Sequence, residues 1–145
     1  MSDGTGLSGE QGEQLVGVVL VSHSAAVAAS VADLARGLMG GGATVPVAAA
    51  GGTESGGLGT SAELITAAAR SVDRGAGVAV LTDLGSAVLT VKALLAEGDE
   101  LPDGTRLVDA PFVEGAVAAV VTASTGADLA AVEAAASEAY TYRKV

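Results

Sequence analysis

The sequence contains no cysteine and no tryptophan, and aromatic residues make up only 2% of its 145 residues. The lack of cysteine excludes disulfide bonds, thiolate metal sites and cysteine nucleophiles together. Because half of the residues are apolar but few are aromatic, the core has to be built from small aliphatic side chains that pack closely. Basic residues are also scarce, 7 against 17 acidic ones, which gives a formal net charge of −10.

This negative charge repels nucleic acids and anionic membrane surfaces, so we expect neither as a partner. The first residues lack the basic region and apolar run of a signal peptide, and the apolar stretches are too short or too rich in glycine to cross a bilayer. The His, Asp and Glu residues show no spacing typical of a metal site. The sequence therefore predicts a cytoplasmic protein with no membrane insertion and no bound metal.

Residues 1–14 are rich in Gly, Ser, Glu and Gln and show no periodic apolar pattern, which predicts a flexible leader. Residues 15–145 suit a single domain, in which apolar runs typical of buried strands alternate with segments of helical periodicity. Strands are predicted at 15–21, 44–50, 78–81 and 106–110. Helices are predicted between Ser24 and Gly40, around 64–72, and at 86–96, 113–123 and 128–140.

The first two predicted helices each carry an apolar stripe that should face the core. In the first helix, the residues that recur at three- and four-residue steps are Val27, Val31, Leu34 and Leu38. In the second, the corresponding residues are Leu64, Ile65, Ala68, Ala69 and Val72.

Strands that alternate with helices predict an α/β fold: a doubly wound, mainly parallel sheet with helices on both faces. We expect the flavodoxin-like strand order 2-1-3-4. In that order the winding direction reverses between strands 1 and 3, and ligands bind beyond the carboxyl ends of those two strands. Functional residues are therefore expected directly after strands 1 and 3.

The only histidine of the chain, His23, follows strand 1, and Asp83 follows strand 3. We expect the two side chains to meet at the sheet edge. A carboxylate that accepts the N–H of one imidazole nitrogen fixes the tautomer and leaves the lone pair of the other nitrogen available. The pair therefore predicts a histidine nucleophile, with His23 and Asp83 as the catalytic residues.

Hydroxyls and backbone amides near His23 suit a phosphoryl group, because helix N-termini favour anions. Glycines in the 51–59 loop would let the backbone approach closely, since glycine has no Cβ. The residues predicted to contact a phosphoryl group or a partner are Ser22, Ser24, Gly52, Thr53, Gly85 and Ser86.

Plainer interpretations exist for each feature. A histidine at a strand end is often only a loop residue, and Asp83 could serve as an N-cap of the third helix. The glycine-rich 51–59 segment could be an ordinary flexible loop, because it lacks the Gly-Lys-Ser/Thr ending of a phosphate-binding loop. Direct nucleotide binding is therefore not predicted, and we expect no directly bound cofactor.

Six short motifs are spread along the chain: GVVLVSHS (17–24), GT (52–53), LGTS (58–61), DLGSAVL (83–89), APFVEG (110–115) and ASTGA (123–127). Together they resemble the mannose-type enzyme IIA family, and within it the phosphotransferase subunit of bacterial dihydroxyacetone kinase driven by phosphoenolpyruvate. The resemblance spans roughly 15–136. Mannose-type relatives usually carry Gly-Gly-Ser-Pro after the aspartate, whereas here Leu-Gly-Ser-Ala follows Asp83, which favours the dihydroxyacetone branch.

The resemblance implies that His23 accepts a phosphoryl group from the carrier HPr and passes it to ADP held on a nucleotide-binding subunit. That subunit then phosphorylates dihydroxyacetone on a third subunit. The resemblance also implies that Asp83 orients the imidazole and that the chain forms a homodimer. Some members of the family continue into HPr-like and enzyme I-like domains, whereas this sequence ends at Val145. Two expectations therefore stand side by side: a separate protein supplies the phosphoryl group, or the sequence is an excised domain of a longer protein.

Two other functions fit the same residues. A mannose- or fructose-type IIA component would pass its phosphoryl group to the IIB domain of a sugar permease. A regulator would instead bind partners according to its phosphorylation state. A receiver-like domain is excluded, because Ser-His-Ser stands at the end of strand 1 where acidic metal ligands would be needed.

Overall fold

A computed structural model describes residues 14–145, so the predicted leader, except for its last residue, lies outside the described residues. The strands are β1 (Gly17–Ser22), β2 (Val47–Gly51), β3 (Val78–Thr82) and β4 (Thr105–Leu107). The α-helices of the described part are α1 (Ala25–Leu38), α2 (Ala62–Val72), α3 (Gly85–Glu97), α4 (Phe112–Ser124) and α5 (Leu129–Glu138). A short 3₁₀ turn, Ala139–Thr141, follows α5.

The four strands form one parallel sheet in the order β2-β1-β3-β4. Two separate apolar clusters cover its two faces. Helices α1, α4 and α5 contribute to one cluster, and α2 and α3 contribute to the other. The predicted doubly wound α/β fold and its strand order are therefore confirmed.

Strand β1 lies in the middle of the sheet, and all six of its residues are buried. Alternate residues of the strand point to opposite faces, so Val18 and Leu20 enter one cluster while Val19 and Val21 enter the other. This arrangement explains the continuous apolar run of the sequence, since a parallel strand covered on both faces has no solvated side. The buried central strand gives His23, which follows it, a rigid support.

The prediction of which residues of α1 face the core was partly wrong. Val31 is buried, but Val27, Leu34 and Leu38 are 45%, 44% and 56% exposed. The buried face consists mainly of alanines, because small side chains let the helix lie close to the sheet and to α4. The residues that pack inward with Val31 are Ala28, Ala32 and Ala35. In α2, by contrast, the predicted inner face is buried except for Leu64, which is partly exposed.

The last strand is shorter than the predicted 106–110. After Leu107 only one further sheet-like bond forms, from the N–H of Val108 to the carbonyl of Val80 at 2.8 Å. The chain then leaves the sheet because α4 begins directly after Pro111. No helix within residues 14–145 combines the length and apolarity that crossing a bilayer requires.

Candidate active site

The site begins where β1 and β3 end side by side. The two strands are paired in parallel register, with Val21 opposite Thr82, so the residues that follow them emerge at the same edge of the sheet. One more bond continues the ladder, from the N–H of Asp83 to the carbonyl of Val21 at 3.1 Å. The sheet register therefore places His23 and Asp83 next to each other, as the sequence predicts.

The two side chains are in direct contact. Nδ1 of His23 lies 3.0 Å from Oδ1 of Asp83, and the backbone N–H of His23 donates to Oδ2 at 3.0 Å. The carboxylate thus holds both the ring and the main chain of the histidine. The side chain of His23 is 24% exposed and that of Asp83 is 16% exposed, so the pair is shielded but can still be reached from solvent.

Two further groups donate to the same carboxylate. The Ser22 hydroxyl donates to Oδ2 at 2.8 Å, and the N–H of Leu84 donates to Oδ1 at 2.7 Å. Burial raises the pKa of Asp83, but the hydrogen bonds from His23, Ser22 and Leu84 together outweigh it and hold the pKa below its ordinary value. Asp83 is therefore ionised at neutral pH and acts only as an acceptor.

This geometry assigns the tautomer of His23. Because the Asp83 carboxylate can only accept, Nδ1 must carry the proton in their hydrogen bond. In the neutral ring, Nε2 then holds a free lone pair, and it faces the hydroxyl of Ser86, which contacts it. Nδ1 is thereby the oriented nitrogen, and Nε2 is the nitrogen available for chemistry.

The serines predicted around His23 make different hydrogen bonds. Ser22 is buried, and its oxygen accepts from the N–H of Ser24 at 3.1 Å while its proton goes to Asp83. Ser24 is the N-cap of α1 and accepts from the N–H of Val27 at 3.2 Å. The N-cap of α3 is Leu84, which makes no side-chain capping bond, so Asp83 is not the N-cap of that helix.

The glycine-rich loop holds the backbone of the site. Gly52 donates its N–H to the carbonyl of Ser22 at 3.1 Å, and Gly59 donates to the carbonyl of His23 at 3.0 Å. Gly52 has a φ of +72°, and a Cβ there would lie 2.6 Å from the carbonyl oxygen of Gly57, so only glycine fits without strain. Gly59 was not predicted as a site residue, because a backbone donor leaves no side-chain signal.

Thr53 and Gly85 were predicted to contact a phosphoryl group or a partner, but neither has a hydrogen bond to His23. Thr53 closes the loop on itself, since its hydroxyl accepts from the N–H of Gly57 at 3.0 Å. Gly85 opens α3 and lines a groove of about 460 Å³ that lies beside Asp83, between the start of α3 and the end of β4. Nowhere in the described chain do three or more His, Asp or Glu side chains gather as metal ligands would.

Known proteins are similar to this chain in sequence and in fold. A family model, EIIA-man, described as the fructose IIA component of the phosphotransferase system, matches residues 17–133. The phosphoryl donor subunit DhaM of the PEP-dependent dihydroxyacetone kinase of Escherichia coli is 38% identical over 117 residues, which are 79% of this chain and 25% of that protein. DhaM of dihydroxyacetone kinase 2 of Listeria innocua is 34% identical over 108 residues, 74% of this chain and 85% of that protein. The chain thus spans about a quarter of the length of the Escherichia coli relative.

Solved structures agree on the architecture. A crystal structure of a protein of unknown function has a TM-score of 0.74 and 28% identity, covering 86% of this chain and 95% of its own. A sigma-54 interaction domain protein from Enterococcus faecalis has a TM-score of 0.65 at 20% identity, covering 89% and 93%, which is a likeness of fold alone. The resemblance inferred from the motifs is confirmed, and this chain belongs to the EIIA-man family.

Proposed function

We propose that this chain is a phosphohistidine carrier of the phosphoenolpyruvate-dependent phosphotransferase system. In this proposal His23 accepts a phosphoryl group from HPr and passes it to ADP bound on the nucleotide-binding subunit of dihydroxyacetone kinase, whose third subunit binds dihydroxyacetone. The names of the relatives from Escherichia coli and Listeria innocua support this assignment, since both are phosphoryl donor subunits of such a kinase. No cofactor bound directly to this chain is needed.

The observation that carries the proposal is the polarised imidazole. Asp83 accepts the Nδ1 proton of His23 at 3.0 Å, and Nε2 is left with its lone pair on a side chain that is 24% exposed. An ionised carboxylate at this distance stabilises the positive charge that the ring gains when a phosphoryl group is added. We therefore propose Nε2 as the phosphorylated atom.

The proposed chemistry has two steps. First, the Nε2 lone pair of His23 attacks the phosphorus atom carried by HPr, and the N–P bond forms as the bond between the donor and phosphorus breaks. The Nδ1 proton stays on the ring, in its hydrogen bond to Asp83. In the second step a terminal phosphate oxygen of ADP attacks the same phosphorus atom, and the electron pair of the N–P bond returns to Nε2.

The surroundings of Nε2 support a phosphoryl ligand. Two helices, α1 and α3, begin at the site, and the first N–H groups of a helix have no carbonyl partner within it. The hydroxyl of Ser86, which contacts Nε2 in this structure, has to turn away for the attack and can then donate to a phosphoryl oxygen. Ser86 is exposed, so this rotation is not hindered by packing.

Exposed leucines around the site favour a protein as donor and acceptor. Leu58, Leu84 and Leu89 are 81%, 62% and 68% exposed. Each stands within three residues, along the sequence, of a group that contacts the site: Gly59, Asp83 or Ser86. Apolar surface of this kind is typical of contacts with another protein rather than with a small anion.

A fructose- or mannose-type IIA component is the second candidate function. The description of the matching family as a fructose IIA component favours it. The chemistry at His23 would be the same, but the acceptor would be the IIB domain of a sugar permease. Only the acceptor distinguishes the two candidates.

The test is reconstitution with phosphoenolpyruvate, enzyme I and HPr. We expect one acid-labile phosphoryl group on the wild-type chain and none on His23→Ala, because His23 is the only histidine. Labelling of His23→Ala would overturn the proposal. The phosphorylated chain is then mixed with the ADP-containing kinase subunit or with a mannose-type IIB domain. Discharge to the kinase subunit is expected, and discharge to IIB alone would assign the chain to a permease.

A further inference from the structure

Two threonines outside the predicted site are joined by their side chains. The hydroxyl oxygens of Thr60 and Thr90 lie 3.1 Å apart, although the residues are 30 positions apart in the sequence. Both are partly buried. Thr60 ends the glycine-rich loop that follows β2, and Thr90 lies in the second turn of α3, so the contact joins two separate segments of the site.

The direction of the hydrogen bonds can be assigned. The Thr90 hydroxyl donates to the carbonyl of Ser86, one helical turn earlier, at 3.1 Å. Its single proton is used in that bond, so the proton between the two threonines comes from Thr60. A relay therefore runs from the Thr60 hydroxyl through Thr90 to the main chain of Ser86.

Each end of this relay is next to a group that touches His23. Thr60 directly follows Gly59, whose N–H holds the His23 carbonyl at 3.0 Å. Ser86, at the other end, contacts Nε2 of His23 with its hydroxyl. The relay thus fixes the spacing between the segment that holds the histidine backbone and the segment that faces its reactive nitrogen.

We propose that Thr60 and Thr90 are positioning residues for phosphoryl transfer, acting through Ser86 and Gly59 on His23. The proposal rests on the proposed function of His23 as the phosphoryl acceptor. Neither threonine touches the reacting atoms. Their hydroxyls keep the first turn of α3 and the end of the loop in register, so that the main chain of Ser86 stays beside Nε2 and its hydroxyl, once turned, can reach a phosphoryl oxygen. Alignment of this kind matters because a displacement of about 1 Å at a reacting centre can lower a rate roughly 100-fold.

The experiment compares valine and serine at each position. Valine keeps the shape of threonine but removes the hydroxyl, whereas serine keeps the hydroxyl and removes the methyl group. For Thr60→Val and Thr90→Val we expect the single-turnover rate of phosphorylation by phospho-HPr to fall by about 10- to 100-fold at saturating donor. Thr60→Ser and Thr90→Ser should retain most of the rate, and the double valine variant should be no slower than the slower single one, because both belong to one relay.

Thr105→Val is the matched control. Thr105 is also a partly buried threonine whose hydroxyl donates to a backbone carbonyl, that of Pro102 at 2.7 Å. It is the first residue of β4 and so lies at the amino ends of the strands, whereas His23 lies at their carboxyl ends. Its variant should keep the wild-type rate. Wild-type rates in the two valine variants, or equal losses in the serine and valine variants, would overturn the proposal.

A second measurement does not depend on phosphoryl transfer. The ¹⁵N chemical shifts of the His23 ring report which nitrogen carries the proton and how strongly Nε2 is hydrogen-bonded. We expect Thr90→Val to shift the Nε2 signal and Thr105→Val to leave it unchanged, and an unshifted signal in Thr90→Val contradicts the positioning role. If wild-type protein takes no label from phospho-HPr, the proposed function fails, but these shifts still decide whether the threonines position the ring.

Discussion

The carboxylate of Asp83 accepts four hydrogen bonds, and each of its two oxygens takes two of them. An asparagine of the same shape has only one oxygen, so its amide nitrogen would face two donors whichever way it turned. The change therefore removes a charge from the site and also leaves donors without partners. We therefore expect both the rate of phosphoryl transfer to His23 and the free energy of unfolding to fall.

We predict that Asp83→Asn lowers phosphoryl transfer to His23 by roughly 10²–10⁴-fold, as losses at orienting and general-base positions do. The free energy of unfolding should fall by about 1–3 kcal/mol, the cost of unsatisfied buried donors. Single-turnover phosphorylation and urea unfolding measure the two effects. Asp73→Asn is the control, because Asp73 accepts one bond, from Gly75, at the other end of the sheet. A wild-type rate in Asp83→Asn would remove its role in orienting the histidine.

The pKa of Asp83 gives this contribution a defined pH dependence. The folded pKa lies below the ordinary value of 3.8, so the folded state favours the ionised carboxylate. The contribution to stability is thus complete above about pH 4 and is lost as the pH falls through the lowered folded pKa. Asp83→Asn, which cannot ionise, should therefore lose less stability than the wild type between pH 4 and pH 2 in urea unfolding.

The glycine-rich loop is held by its own backbone. Gly52 and Gly56 both have positive φ angles, +72° and +95°. A methyl group on Gly52 would lie 2.6 Å from the Gly57 carbonyl oxygen, whereas one on Gly56 would meet open space. The two positions share the cost of a left-handed alanine, about 1–2 kcal/mol, but only one adds a steric clash.

We predict that Gly52→Ala slows phosphorylation of His23 more than Gly56→Ala does. The clash should shift the loop and weaken the bonds from Gly52 to Ser22 and from Gly59 to His23. Gly56→Ala should cost a similar backbone strain but leave the rate within about twofold of wild type. Equal rates in the two variants would show that the loop backbone does not position the histidine.

Elements and their order could be predicted from the sequence, and so could the inner face of α2, but the inner face of α1 and the backbone contacts could not. The apolar run before His23 and the strand before Asp83 indicated two neighbouring buried strands, and parallel pairing then places both residues at one edge. Leu34 and Leu38 were misassigned because periodicity shows which residues share a stripe, while packing on α4 decides that the alanine stripe faces inward. The hydrogen bond from the N–H of Gly59 to the carbonyl of His23 depends on backbone geometry, so no side chain in the sequence indicates it.

The exposed apolar stripe of α1 favours assembly with a second copy of the chain. The homodimer implied by the family resemblance remains a prediction. Val27, Leu34 and Leu38 lie on one side of the helix and are about half exposed, so burial against a second copy would remove apolar area from water. The helix belongs to the face of the sheet opposite α2 and α3.

We predict that sedimentation velocity will show a concentration-dependent dimer and that Leu34→Glu will shift it to monomer, because a buried unpaired charge is unfavourable. Leu89→Glu is the control, since Leu89 is 68% exposed on α3, which covers the other face of the sheet. It should leave the dimer intact. A wild-type monomer at all concentrations would rule out the dimer, and a dimer unaffected by Leu34→Glu would place the interface elsewhere.

The outer edge of the sheet is covered in part by a charged side chain of α1. β2 is an edge strand, and the carbonyl of Pro46 pairs inward with the N–H of Val18, so the next carbonyl, that of Val47, points outward. There it accepts a hydrogen bond from the guanidinium of Arg36 at 2.7 Å. A strand from another molecule could add to this edge only by displacing a cation, which is how charged side chains protect sheets from aggregation. Arg36 therefore limits uncontrolled strand addition at an edge strand whose central residues are alanines.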